Sequence, residues 1–87
     1  MSRIERMREA LLSALAPSVL EIEDQSAAHA GHAGARDGRG HYSVRIVAAA
    51  FAQRSLLERH RLVYAALNSM MQTDIHALAI HASAPNE

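Results

Sequence analysis

HYSVRIVAAAFAQRSLLERHRLVYAALNSMMQTDIHALAI, residues 41–80, is the stretch that decides the fold. Tyr42, Val44 and Ile46 alternate with Ser43, Arg45 and Val47, which predicts a strand with one wetter face that His41 opens. Ala48 to Phe51 turns the chain. Ser55 followed three residues later by Glu58 is a capping box, so the longest helix begins there and runs through about Met71. Leu56, Leu57, His60, Val63, Tyr64, Leu67, Met70 and Met71 are its expected apolar stripe. Thr73 and Asp74 separate it from a last strand, Ile75 to Ala82. A long helix between two strands permits a crossover, and with it a parallel pair.

Upstream, Ile4, Met7, Leu11, Leu12 and Leu15 recur at helical spacing, and Ser2 with Glu5 forms a second capping box. A first helix over about residues 2–15 follows, stopped by Pro17. Val19 to Glu23 reads as a short strand. Asp24 to Gly40 holds all four glycines and no apolar period, which predicts a long, flexible, exposed connection between two strands. Connections of this length in compact domains are usually functional or disordered. The tail after Pro85 has little to hold it. The expected class is α+β, in the order helix, strand, strand, helix, strand. The first two strands pair as an antiparallel hairpin, and two amphipathic helices cover one face of a three-stranded mixed sheet.

At 87 residues the chain makes one domain with a modest core, built from Leu, Ile, Val, Ala and Met because Phe51, Tyr42 and Tyr64 are its only aromatics. Apolar residues at 49% and charged residues at 21% match a globular protein. No run is long enough to span a membrane, and the charged amphipathic start is no apolar export signal, so the expected compartment is cytoplasmic. Cysteine is absent, which excludes disulfides, thiolate catalysis and thiolate metal ligation by this chain alone. Formal net charge is zero, and no global basic field recruits nucleic acid. Locally, six arginines at 36, 39, 45, 54, 59 and 61 face only Asp37 and Glu58. That excess suits phosphate, an acidic partner or plain solvent.

Six histidines are the remaining chemistry. His29 and His32 lie in the glycine-rich connection, where packing explains little, and imidazole there suits iron, zinc or copper. His41 is a third ligand or a cap on its strand. His60, between Arg59 and Arg61, is expected to be partly buried and hydrogen-bonded. His76 shares the phase of Leu78 and Ile80, so ligand and core roles weigh equally, whereas His81 is expected at the surface. The G-x-x-G at Gly31–Gly34 lies between strands rather than helices, the wrong context for a nucleotide clamp. No P-loop, dinucleotide fingerprint, HExxH or serine elbow occurs, and no enzyme is expected.

FAQRSLLERHRLVYAAL at 51–67 with IHALAI at 75–80, and VLEIEDQSAAH ahead of the connection, closely resemble the BolA family over about residues 3–85. The resemblance implies a fold similar to the class II KH domain. It also implies a monothiol glutaredoxin as heterodimer partner, the two proteins sharing a 2Fe-2S cluster, with none expected in the isolated chain. In that picture the glutaredoxin supplies its cysteine and a bound glutathione thiol. The BolA-like protein supplies the HAL-motif histidine, here His76, and a loop ligand, here His29 through the S-x-x-H pattern from Ser26. His32 and His41 are the alternates for the loop position. The function so implied is iron–sulfur trafficking or iron and redox regulation. Other members resemble transcription regulators linked to stress, which implies DNA contact by Arg54, Arg59, His60 and Arg61; a weak homodimer is a further option. Gln53 stands where the family usually has glycine.

Overall fold

The computed structural model describes residues 2–26 and 39–87. The first helix, α1, spans Arg3–Leu15. Its expected capping box forms: the Glu5 N–H donates to Ser2 Oγ at 3.1 Å, and the Ser2 N–H donates to Glu5 Oε1 at 3.4 Å. Ala16 turns left-handed at φ 46° and its N–H closes onto Leu12 O, and Pro17 follows to prevent another turn. Met7 and Leu11 face the core fully buried. Leu12 is left 47% exposed, because the buried row advances by four from Met7 to Leu11 and passes it by.

Strand β1 spans Val19–Asp24 and β2 spans Gly40–Val47. A 3-10 turn at Ala49–Phe51 leads into helix α2, Leu56–Leu67. The Ser55–Glu58 capping box is present as expected. Between turn and helix, Gln53 takes φ 60°, the left-handed region that favours glycine.

The long helix is not continuous to Met71. Asn68 takes φ 51° and its N–H returns to Tyr64 O, ending α2. Asn is among the few side chains that tolerate such a conformation. A short helix α3, Met70–Thr73, then delivers the chain to strand β3, Ile75–Ser83.

The sheet order is β1-β2-β3, with β1 antiparallel and β3 parallel to the central β2. The mixed α+β sheet expected from the crossover is the one that forms. Register places Leu20, Ile46 and Ala82 in one row and Ile22, Val44 and Ile80 in another. These inward rows meet Met7 and Leu11 of α1, Val63 and Leu67 of α2, and Phe51 from the turn. The opposite face carries Glu21, Glu23, Arg45, Ala77, Ala79 and His81, all exposed. No helix among the described residues is long and apolar enough to cross a membrane.

The tail does not hang free as expected. Glu87 reaches back to a buried arginine, Arg59, described below.

Candidate functional site

The start of β3 breaks its own alternation. Gly40 pairs with Ile75 but His41 pairs with Ala77, so His76 is an extra residue, a bulge. The bulge removes His76 from the core row it shares in sequence with Leu78 and Ile80. Ile75 is buried instead, 1% exposed, and His76 turns outward. Its ring meets that of His41, with centroids 5.1 Å apart and planes tilted by 51°. His41 is buried. Of the histidines expected to serve as ligands, these two are brought together; His29 and His32 lie outside the described residues.

Each ring sits on a hydrogen-bonded frame. The His41 N–H donates to Ser26 Oγ at 3.1 Å, and its carbonyl accepts from the Gln25 N–H at 2.7 Å. Asp24 Oδ1 accepts from the Ser26 N–H at 2.8 Å, and hydrogen bonds from the Ser26 hydroxyl and N–H hold the Asp24 carboxyl below its usual range. The end of β1 is thus tied to the start of β2 through one serine.

On the other side, Asp74 accepts from the Gly40 N–H through its backbone oxygen at 2.9 Å. Its carboxylate accepts from Arg6 Nη2 at 3.0 Å, Arg3 Nε at 3.3 Å and Thr73 Oγ1 at 3.1 Å. The Arg6 hydrogen bonds, ahead of those from Thr73 and the charge of Arg3, keep this carboxyl below its usual range. Arg3 also donates to Tyr42 Oη at 3.4 Å, and this hydrogen bond raises the arginine further above its ordinary value. The first helix is therefore fastened to the residues that flank the imidazole pair, a role no local sequence signal announces.

Arg39 Nη2 lies 3.2 Å from His76 Nδ1. A guanidinium only donates, so Nδ1 presents its lone pair to Arg39. An open pocket of ≈ 340 Å³, lined by Gln25, His41, Tyr42, Ala77, Leu78 and Ala79, lies beside the pair. Two neutral imidazoles are good ligands for iron, zinc or copper. Among the described residues no group of three or more His, Cys, Asp or Glu side chains is arranged to hold a metal ion. Two imidazoles supply two donors, fewer than a complete site needs.

The arginine cluster on α2 divides. Arg54 and Arg61 are exposed, and Arg54 Nε donates to Ala50 O at 2.9 Å. His60 is half-buried beside a groove of ≈ 460 Å³ that also takes in Arg45, Leu56, Ile80 and His81. Arg59 does not stand with them on an exposed face. It occupies the inward row with Val63 and Leu67, while Leu56, Leu57 and Tyr64 of the expected stripe are exposed at 68%, 59% and 41%. The apolar residues flank α2 broadly enough that a rotation of one position exchanges them with Arg59. The arginine is tolerated inside because its stem packs and its head is fully bonded. Arg59 Nη1 and Nη2 donate to Glu87 Oε1 and Oε2 at 2.6 and 2.7 Å.

The Arg59 fork, ahead of the Ala84 N–H, pulls the Glu87 carboxyl down from the ordinary 4.5 to about 2. A depressed carboxyl contributes stability that is complete above its unfolded value and is lost as pH falls toward the folded one. Acid titration should therefore cost wild type stability between about 4.5 and about 2 that a Glu87→Gln variant no longer has to lose. Parallel acid curves for the two proteins would refute that contribution.

The family model described as BolA-like protein matches residues 11–87. The chain belongs to the BolA family. Over 91 residues it is 46% identical to the SufE-like protein 1, chloroplastic/mitochondrial, of Arabidopsis thaliana, covering 99% of this chain and 24% of that protein. It is 45% identical over 89 residues to Protein BOLA1, chloroplastic, of the same plant, covering 99% of this chain and 56% of that one. Among solved structures, the BolA domain of SufE1 from Arabidopsis thaliana matches with a TM-score of 0.85 at 44% identity, over 98% of this chain and 94% of that one. The chain thus spans a quarter to about half the length of these two full-length relatives.

These relatives overturn the cytoplasmic expectation, since both are named for chloroplasts or mitochondria. A charged amphipathic helix such as α1 does not discriminate compartments. Addresses are read from segments recognised apart from the folded core, and core composition carries none.

Proposed function

We propose that this BolA-family chain is a non-catalytic partner of a monothiol glutaredoxin and that the two share a 2Fe-2S cluster in iron–sulfur trafficking or redox regulation. The observation that carries this reading is the pair of imidazoles at 5.1 Å, one of them displaced from the core by a bulge. His76 is one ligand. His41 is the second ligand that the described residues favour, with His29 and His32 as the other options. A chain without cysteine that offers two imidazoles is half a site, which suits a partner bringing two thiolates, its own cysteine and glutathione. The cluster supplies redox-active iron whose potential rises when imidazole replaces thiolate. The chain's own part would be to hold the His76 imidazole at the surface, through Nε2 or through Nδ1 once Arg39 gives it up, and to uncover one of the two His41 ring nitrogens, both of which are buried in the free protein.

The test is visible absorption and circular dichroism of anaerobic mixtures with a monothiol glutaredoxin, glutathione and reconstituted cluster. Wild type should give a spectrum distinct from the glutaredoxin homodimer, and His76→Ala should abolish it. Loss in His41→Ala as well would assign the second ligand, and survival there would move it to His29 or His32. A wild-type mixture that shows only the homodimer spectrum ends the proposal.

A second reading keeps the class II KH likeness and DNA binding in a regulatory role, through Arg54, His60 and Arg61 without Arg59. The groove shared by Arg45, His60 and His81 favours it, since among the described residues no acidic side chain lines that groove, although Arg45 itself is paired with Glu21 at 3.3 Å. Steeply salt-dependent DNA binding lost in Arg54→Gln/Arg61→Gln would support it. A weak homodimer stays subordinate to both readings.

A further inference from the structure

Arg59 builds a site at the opposite end of β3 from His76, independent of any metal. Its side chain is only 10% exposed. Two backbone carbonyls aim the guanidinium: Nε donates to Arg54 O at 3.0 Å, and Nη1 donates to Ala82 O at 3.2 Å. These carbonyls belong to the turn before α2 and to β3, so the fork is fixed by the frame of the fold. What it presents outward is two parallel N–H groups. A third donor stands beside them, the N–H of Ala84, itself 5% exposed. All three converge on one carboxylate, that of Glu87: Oε1 accepts from Nη1 at 2.6 Å and from Ala84 at 2.9 Å, and Oε2 accepts from Nη2 at 2.7 Å.

The receptor and its occupant are held very differently. The receptor is buried and aimed by the core. The occupant sits on a three-residue strap whose members, Pro85, Asn86 and Glu87, are all exposed. The Glu87 side chain is 43% exposed even while bound, and Asn86 is held at φ 72°, in the left-handed region. The Glu87 N–H closes the strap onto Ala84 O at 3.2 Å. A bidentate arginine fork takes carboxylate or phosphate; the anion that seats on this fork together with the Ala84 N–H is a carboxylate, that of Glu87. A buried arginine left without its anion is costly, so departure of Glu87 creates demand for a replacement.

We propose that Arg59 and the Ala84 N–H form an exchangeable carboxylate-binding site, filled by Glu87 in the free protein and open to a carboxylate from a partner polypeptide when the strap swings out. The occupant in hand is a tethered ligand, and tethering gives it the advantage of high effective concentration. A partner displaces it only where its own contacts hold a carboxylate nearby.

The experiment removes the tethered ligand and supplies a free one. Thermal unfolding of Glu87→Ala at neutral pH should fall by several degrees below wild type. Sodium acetate, exchanged for chloride at constant ionic strength, should restore most of that loss with a saturable dependence and leave wild type unmoved. N-acetylglycine and the α-amide of N-acetylglutamate present a chain-terminal and a side-chain carboxylate, and the one acting at lower concentration identifies the kind of partner group. Glu87→Gln keeps the length of the side chain and replaces Glu87→Ala should the latter not fold. In the Arg59→Met/Glu87→Ala double variant no carboxylate should act. An undiminished Tm in both single variants, rescue by chloride equal to that by acetate, or rescue that persists without Arg59 each overturns the site.

Discussion

Phe51→Ala is expected to cost about 3–5 kcal/mol, the range for emptying the site of a buried aromatic. Phe51 is fully buried and is the largest side chain in that state. It belongs to the cluster of Met7 and Leu11 from α1 with Val63 and Leu67 from α2. Its backbone is pinned on both sides: its N–H donates to Ala48 O at 3.1 Å, and its carbonyl accepts from the Arg54 N–H at 3.2 Å. A pinned 3-10 turn cannot follow the missing ring inward, so the cavity stays. Domains carry only about 0.05–0.15 kcal/mol of stability per residue, so for a chain of this size the loss is a large fraction of the total. Urea unfolding monitored by circular dichroism reads it directly. A change below about 1 kcal/mol would mean that the two helices close over the gap.

Gly40→Val is expected to cost about 1–3 kcal/mol and to disturb the imidazole pair as well. A Cβ at Gly40 would stand 2.5 Å from Tyr42 Oη and 2.6 Å from Tyr42 Cζ. Such contacts force the ring to move, yet Tyr42 is only 4% exposed and its hydroxyl accepts from Arg3. Gly40 itself pairs with Ile75 immediately before the bulge, so strain at this position reaches the bulge directly. Unfolding experiments measure the first effect, and the nuclear Overhauser contact between the His41 and His76 rings measures the second. An unaltered ring contact with unaltered stability would show that Tyr42 swings aside freely and that the glycine is not required.

The way those two residues read in sequence shows where sequence reasoning stops. Phe51 stands out in sequence as one of three aromatics, at the end of the turn before a capped helix, but its place in the core was decided by packing. The demand for glycine at position 40 comes from a ring two residues away that bends back over the backbone, and no propensity records that. Gln53 is intermediate: likeness to the family marks it as a position for glycine, and its φ of 60° supplies the reason.

The same division runs through the candidate site. His76 is picked out by its motif, but its alternation with Leu78 and Ile80 leaves a core role equally open until a bulge turns it outward. His41 is one of three alternatives in sequence, and only the parallel register of β2 on β3 brings it to its partner. Asp74 reads in sequence only as part of a helix-to-strand boundary, because its contacts reach Arg3 and Arg6 at the other end of the chain.

The sequence by itself determined the element order, both capping boxes, the mixed sheet and the absence of any thiolate, because these depend on period, on residues three apart and on composition. Tertiary structure alone decided that Arg59 turns inward, that α2 ends at Asn68 and that His41 meets His76. A helix with apolar residues around much of its circumference does not declare which row faces the sheet. That choice falls to the packing of Met7, Leu11, Val63 and Leu67 and to a carboxylate, Glu87, that satisfies the charge carried inside.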